Sequence, residues 1–454
     1  MIRLTADDLL LLWPDEAWPQ EIGALGVLDG SRLIGSDGRF RIEVVKAAIQ
    51  ARLHLVPRFR QVLYVPRRGL GPPLWVHAPE FDLDQHVKVA SLAAPSDEVQ
   101  LLHTIEELRQ HRLDRSRPLW EMWFIPGLAE NRVGVFIRIH HVIADGMAGI
   151  ATVGAFLDSQ PDAGSASAPP WNPAPLPTAH ELFVDNLRQR AAGLRRGVAS
   201  LRHARTALRQ LRAGWSMMRG LFTLHPTPGT SLDRTVGPGR RFALIRSRLE
   251  AVKRVAHDHH ATVNDVLLSV IAGGVRKLRQ SRKEPVDDVV LPTYVPVTLR
   301  RVSREQNRGN LISQMVVRLP IGESDRDQRL QQIAAETTEQ KAKGHPPLGT
   351  VIGSSFARWA LLKLLGRHPV SVTTADLPGP PRTAYLAGAR LVEVFPVLPL
   401  IGNVSLGVGA LSYDGQFNIM VVGDRDAVPD LAVFAEGVRE ELQALERALR
   451  GPER

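Results

Sequence analysis

Two adjacent histidines, His140 and His141, followed at a three-residue spacing by Asp145 and Gly146, are the residues of this chain best suited to chemistry. Imidazole titrates close to neutrality, so histidine is the usual proton acceptor at working pH. Neighbouring residues at a strand end point to opposite sides, which gives the two rings different tasks. Asp145 can pair with a cation or hold the loop, and Gly146 permits a tight turn. The chain has no Gly-rich phosphate loop ending in Lys and Ser or Thr, no G-x-S-x-G elbow and no H-E-x-x-H. It has no cysteine to serve as nucleophile or thiolate ligand. What remains is a histidine base with no protein nucleophile beside it. That set suits direct transfer: the base takes a proton from a bound hydroxyl or amine, which attacks an acyl donor already activated. A thioester needs only an oxyanion donor in addition, a backbone N–H or an asparagine amide.

These residues need elements to position them. Val133 to Ile139 reads as a buried strand ending at the histidines, and Met147 to Leu157 as the helix that follows. Glu43–Leu55 and Gln100–Arg109 read as further helices. From Ser159 to Thr178 proline, alanine and serine dominate, which marks a linker. A long helix should follow, with Leu187, Leu194, Val198, Leu201, Leu208, Leu211, Trp215 and Met218 at helical spacing and nine arginines from Arg188 to Arg219. It is either a basic amphipathic helix touching anionic lipid or a bridge between domains with a solvated arginine face. Beyond Leu232 the mixed pattern resumes. Thr262–Leu278 reads as a buried helix begun by Asn264 and Asp265, and Val289–Leu299 and Ile312–Leu319 as strands. Ala375 to Pro380 reads as a turn, Val404–Leu411 and Gln416–Val422 as a hairpin about Asp414 and Gly415, and Leu431–Leu449 as an amphipathic helix. Two α/β halves joined by a long linker place the site between them.

At 454 residues the chain exceeds one hydrophobic core, so two domains are expected. Its formal net charge of +10 favours anionic partners. Nucleic acid is not among them: the basic residues cluster on the linker helix, no binding fold is recognisable and aromatics make up only 6%. The acids at Asp7 and Asp8 do not fit an export signal, and prolines and glycines break the long uncharged stretch Val394–Tyr413, so a cytoplasmic chain without a spanning helix is expected. His103, His111, His259 and His260 lack partners at metal spacing, and no metal site is expected.

The motif of His140, His141, Asp145 and Gly146 matches the active-site motif of the CoA-dependent acyltransferase superfamily, which includes chloramphenicol acetyltransferase and nonribosomal peptide condensation domains. Pro118-Leu119-Trp120, Asn264-Asp265, Pro296 to Arg300, Gly309-Asn310 and Leu411 to Gly415 narrow it. Over nearly its whole length the chain resembles the bifunctional wax ester synthase/diacylglycerol acyltransferase family. The resemblance implies an α/β (α+β) fold of two chloramphenicol-acetyltransferase-like halves, residues 1–158 and 232–454, with the active site in a channel between them and residues 159–231 as linker and crossover helix. It implies an O-acyltransferase that takes acyl-CoA as substrate, uses no cofactor, and acylates diacylglycerol or a long-chain alcohol at a membrane or lipid-droplet surface. His141 would be the general base and His140 a loop support. Asp145 would orient the motif through an arginine pair, with Gly146 as its turn. Asn264 would help hold the oxyanion beside Asp265. Pro118, Leu119 and Trp120 would shape the channel floor or the strand beneath it. One departure stands out: where the family has an asparagine before its Val-Pro-Gly-Pro turn, this chain has Asp376, an acceptor only when ionised. Two other readings share the fold: an acyltransferase for another hydroxyl, such as a polyketide or glycolipid, and a weakly active lipid- or acyl-CoA-binding paralogue.

Overall fold

The computed structural model describes residues 1–93, 96–144, 146–162, 168–201, 230–296, 314–342 and 370–448. Two six-stranded sheets organise it. In the first, the spatial order is β12 (Tyr385–Leu386), β13 (Ala389–Val397), β2 (Glu21–Asp29), β7 (Arg132–His140), β6 (Trp120–Leu128) and β5 (Val87–Val89). Strand β7 is the expected strand before the histidines, and it is buried along eight of its nine residues. It pairs antiparallel with β2 from Asp29↔Arg132 to Glu21↔His140. On one face the helices α2 (Ile42–Arg52) and α4 (Gly146–Gly154) pack over Val133, Val135 and Ile137. On the other, α3 (Glu98–Gln110) brings Leu101 and Ile105 against Leu25, Ile125 and Phe136. A short helix α1 (Ala6–Leu12) precedes β2, capped by Thr5 and Asp8.

The second sheet runs β10 (Gln314–Pro320), β9 (Val290–Pro296), β11 (Val372–Pro378), β14 (Leu406–Tyr413), β15 (Gln416–Asp424) and β8 (Arg240–Arg248). The expected hairpin about Asp414 and Gly415 is β14 and β15, and both turn residues have positive φ, 45° and 78°. Helices α6 (Leu249–Asp258), α7 (Val263–Ser281), α8 (Arg326–Ala342) and α9 (Leu431–Ala448) cover one face. Helix α7 is apolar nearly all round because it lies between the sheet and α9. Gly274 and Gly437 permit that approach, since a Cβ on Gly437 would fall 2.9 Å from the Gly274 Cα.

Three expectations change. The residues after 232 do not all belong to the second sheet: β12 and β13 join the first, on the free edge of β2. Leu391, Phe395 and Val397 of β13 are buried there, and Tyr413 ties the crossing strand to the second sheet by donating to the Leu391 carbonyl and accepting from the Ala384 amide. An apolar strand pattern does not say which sheet edge it completes. The segment expected as a turn, Ala375 to Pro380, is strand through Pro378, paired in parallel with β14, and turns only at Gly379 and Pro380. The Pro-rich segment is docked rather than loose. Trp171 lies against His77 and beneath the Arg60 guanidinium, and the Ala174 amide donates to His77 Nδ1.

The helix α5 (Ala179–Leu201) that follows packs on a third, small sheet of β1 (Ile2–Arg3), β4 (Leu74–His77) and β3 (Gln61–Tyr64). Leu182 is buried on Leu74 and Val76, and Arg3 pairs with Asp185 at 2.6 Å. Phe183, Leu187 and Leu194 remain exposed on α5. The rest of the basic stretch, with Arg202, Arg205, Arg209, Arg212, Arg219, Trp215 and Met218, lies outside the described residues, as do Val297 to Arg300, Gly309 and Asn310. A core of Leu25, Phe136, Phe242, Leu244, Phe395 and Met420 is common to both sheets, and Arg246 bridges Glu98 and Glu393 across it.

Candidate active site

The ladder of β2 and β7 continues one residue past the strand, where the His141 amide donates to the Gln20 carbonyl at 2.7 Å. Val135, Ile137 and Ile139 share one face of β7 and Phe136, Arg138 and His140 the other; His141, half-buried, is the first residue of the turn that follows. The first face lines an apolar cavity of about 1130 Å³, its open mouth included. β2 contributes Ile22, Gly23, Ala24, Gly26 and Leu28, α4 contributes Gly149, Ile150, Val153 and Gly154, β13 of the same sheet adds Leu391, Val394 and Pro396, and the second sheet adds Leu377 and Leu411. Residues of both sheets therefore line the cavity.

His140 is 2% exposed, and its one ring hydrogen bond among the described residues is at Nδ1. Its Nδ1 accepts the Val142 amide at 3.1 Å, and its Nε2 lies 3.1 Å from Asp15 Oδ1. A ring that accepts at Nδ1 carries its proton on Nε2 when neutral, so that proton faces Asp15. Burial pushes the Asp15 carboxyl up, but His140, Arg115 and the Gln20 amide together hold it well below the usual carboxylate range. The turn closes with the Ile143 amide donating to the His140 carbonyl, and Gly146 opens α4. Asp145 lies outside the described residues.

Pro118, Leu119 and Trp120 lie beneath this strand. The Leu119 carbonyl accepts the His140 amide at 2.9 Å. Trp120, fully buried, stacks between Phe59 and His86, with ring centroids 4.4 and 4.6 Å away, and donates its indole N–H to the Phe59 carbonyl. None of the three lines the cavity; Met122, one step further on the same face, does.

Asp265 stands at the start of α7 in a capping box with Thr262, and its second oxygen accepts from Thr337 of α8 at 2.7 Å. A carboxylate so engaged supplies no donor to an oxyanion; it fixes the helix end that presents Asn264. Asn264 is half-buried, and its amide makes no side-chain hydrogen bond among the described residues. Asp376 is half-buried on β11, beside the cavity-lining Leu377, and burial pushes its carboxyl up to about 6.

Sequence reasoning missed the supports on the other face of the sheet. Arg138, 3% exposed, pairs with Glu21 at 3.2 Å and Glu121 at 2.7 Å, and Asp15 reaches His140 from 125 residues upstream. No local spacing signals such pairs; the β2–β7 and β6–β7 registers bring them together.

Residues 4–267 match the model of the wax ester synthase/diacylglycerol acyltransferase catalytic domain, and residues 308–446 match that of the family's C-terminal domain. A protein of Mycobacterium tuberculosis named as a diacylglycerol O-acyltransferase is 31% identical over 475 residues, covering 100% of this chain and 99% of the relative. A second from the same organism is 29% identical over 450 residues, 93% of this chain and 90% of its own. The fold is similar to that of the wax ester synthase/diacylglycerol acyltransferase from Marinobacter aquaeolei VT8, with a TM-score of 0.69 at 23% identity over 98% of this chain and 99% of that one. It is also similar to the first condensation domain of the CDA synthetase, at 0.62 and 16% over 98% and 96%. By both of its domains, the chain belongs to the wax ester synthase/diacylglycerol acyltransferase family.

Proposed function

We propose that this protein is an acyl-CoA-dependent O-acyltransferase that esterifies diacylglycerol, with long-chain alcohols as a second class of acceptor. The observation that carries this is the match to both family domains in a chain whose His141 follows the strand face lining a long apolar cavity. In the proposed reaction His141 takes the proton of the acceptor hydroxyl, and the oxygen attacks the thioester carbonyl carbon. The tetrahedral intermediate collapses with loss of the C–S bond, and the thiolate of CoA receives the proton back from His141. The Asn264 amide and backbone N–H groups are the candidate oxyanion donors. Asp145 and Gly146 hold the loop. The cavity takes the acyl chain, since its lining is almost entirely apolar. The thioester brings its own activation, so the reaction calls for neither cofactor nor metal. Such acceptors are dissolved in lipid, so the protein works in the cytoplasm at a membrane or droplet surface, which α5 and the basic stretch after it would contact.

The test is incubation of purified protein with a long-chain acyl-CoA and, in parallel, diacylglycerol and hexadecanol, with products identified by mass. Triacylglycerol is the expected main product; neither ester would point to another hydroxyl acceptor. His141→Ala should lower turnover by roughly 10²–10⁴ in a folded protein, and His140→Ala by less. A His141→Ala protein as active as wild type removes the mechanism.

A further inference from the structure

We infer that Asp15 is a positioning residue that clamps the backbone on both sides of His141. Asp15 lies in the single 3-10 turn Pro14–Glu16, far from the histidines in sequence, and is 7% exposed. Its Oδ1 accepts the Gln20 amide at 2.8 Å, and the Gln20 carbonyl accepts the His141 amide at 2.7 Å. The same Oδ1 lies 3.1 Å from His140 Nε2, an ion-pair distance without hydrogen-bond alignment, and His140 Nδ1 accepts the Val142 amide. One carboxylate oxygen thus begins two chains of contacts, one ending on the N–H of His141 and the other on the N–H of the residue after it. Between those two fixed amides the His141 ring has its backbone set, and only its own torsions are left.

The turn that carries Asp15 is itself held. Arg112 donates to the carbonyls of Asp15 and Glu16, and Arg115 pairs with Asp15 Oδ2 at 2.6 Å. The tautomer of His140 is part of the device. If the Nδ1–H form were present, Val142 would lose its acceptor and Asp15 would face a lone pair. A carboxylate at Nε2 selects the form that leaves Nδ1 free to accept, as partners of metal-bound histidines do. His140 cannot itself take the acceptor's proton in this arrangement, because neither ring nitrogen is open to the cavity.

The inference rests on His141 being the base, so the experiment reads the clamp without activity first. In full-length protein labelled with 15N-histidine, the His140 ring, assigned by its loss in His140→Ala, should show the neutral Nε2–H tautomer. An Nδ1–H ring overturns the clamp whatever the activity, whereas an active His141→Ala protein would overturn only the base. Kinetics follow. Asp15→Ala should lower kcat by roughly 10–100-fold while KM for the acyl-CoA stays within about 2-fold, because a positioning loss is felt in the transition state. Asp15→Asn keeps an oxygen able to accept from both Gln20 and His140, so it should recover to within about 5-fold of wild type and retain the Nε2–H tautomer. An Asp15→Ala protein of lowered melting temperature but unchanged kcat would make Asp15 merely structural. Should Asp15→Ala not fold, an Asp15→Asn protein with the Nδ1–H tautomer, or with kcat lowered by more than about 100-fold, overturns the proposal.

Discussion

His140 ends the strand and His141 begins the turn after it, so the two rings have different surroundings. His140 is enclosed by Asp15 and the Val142 amide; His141 follows the face of the apolar cavity. Asp376 makes the sharper prediction at this scale. An aspartate free in the unfolded chain ionises near its usual 3.8, but burial raises the folded value to about 6. Between those values the folded protein holds more protons than the unfolded chain, so this residue's contribution to stability falls as pH rises through the window. Above about pH 6 the full penalty applies, on the order of 1–3 kcal/mol for a partly solvated group. Asp376→Asn should raise the melting temperature near neutral pH and leave it nearly unchanged at about pH 4, as thermal denaturation across that range would show. An equal shift at both ends would mean that the carboxyl ionises normally.

The helix α4 joins the histidine turn to the cavity wall. Gly154, its last residue, lines the cavity, and a Cβ built there meets nothing within 4 Å. A larger side chain therefore gains helix propensity, about 0.8–1 kcal/mol over glycine, and extends into open space. If the cavity holds the acyl chain, Gly154→Leu should lower kcat/KM for palmitoyl-CoA relative to octanoyl-CoA by about 10-fold without loss of stability. An unchanged ratio would place the chain elsewhere. Gly23 of β2 is the contrasting case, since its Cβ would fall 2.5 Å from the Ile137 carbonyl, so there the glycine is needed for strand approach. Helix boundaries were legible in the sequence where caps or periodicity marked them. The expected Thr262–Leu278 became Val263–Ser281 because Thr262 and Asp265 form a capping box, a signal present in four residues.

In the molecule as a whole, the crossing β13 and the docked Pro-rich segment knit the chain into a unit its linear order does not suggest. Helix α5 leaves Phe183, Leu187 and Leu194 exposed while Leu182 and Asp185 anchor it to the first half. No helix among the described residues is long and apolar enough to cross a membrane. For an enzyme of lipid-dissolved acceptors, this surface is the expected point of contact. Each arginine near an anionic surface contributes about 1 kcal/mol, screened by salt. The protein should bind anionic vesicles with an affinity that drops steeply as salt rises. Reversing four of Arg195, Arg202, Arg205, Arg209 and Arg212 to Glu should weaken it, with activity on a water-soluble short-chain substrate retained. Sedimentation with vesicles measures this, and undiminished binding by the reversed protein would assign the helix a purely structural role.

The paired histidines, and the strand and helix on either side of them, were legible in the sequence alone. Each of these is written in local spacing, where residue type alone decides what can form. Tertiary structure decided the rest. Which sheet edge β13 completes depends on the free edge of β2, not on the strand's own residues. That Asp376 is buried depends on neighbours from several elements. That Asp15 faces His140 depends on the antiparallel register of β2 and β7, which brings residues more than a hundred positions apart within 3.1 Å. Register and burial are properties of how elements meet, and no local pattern encodes them.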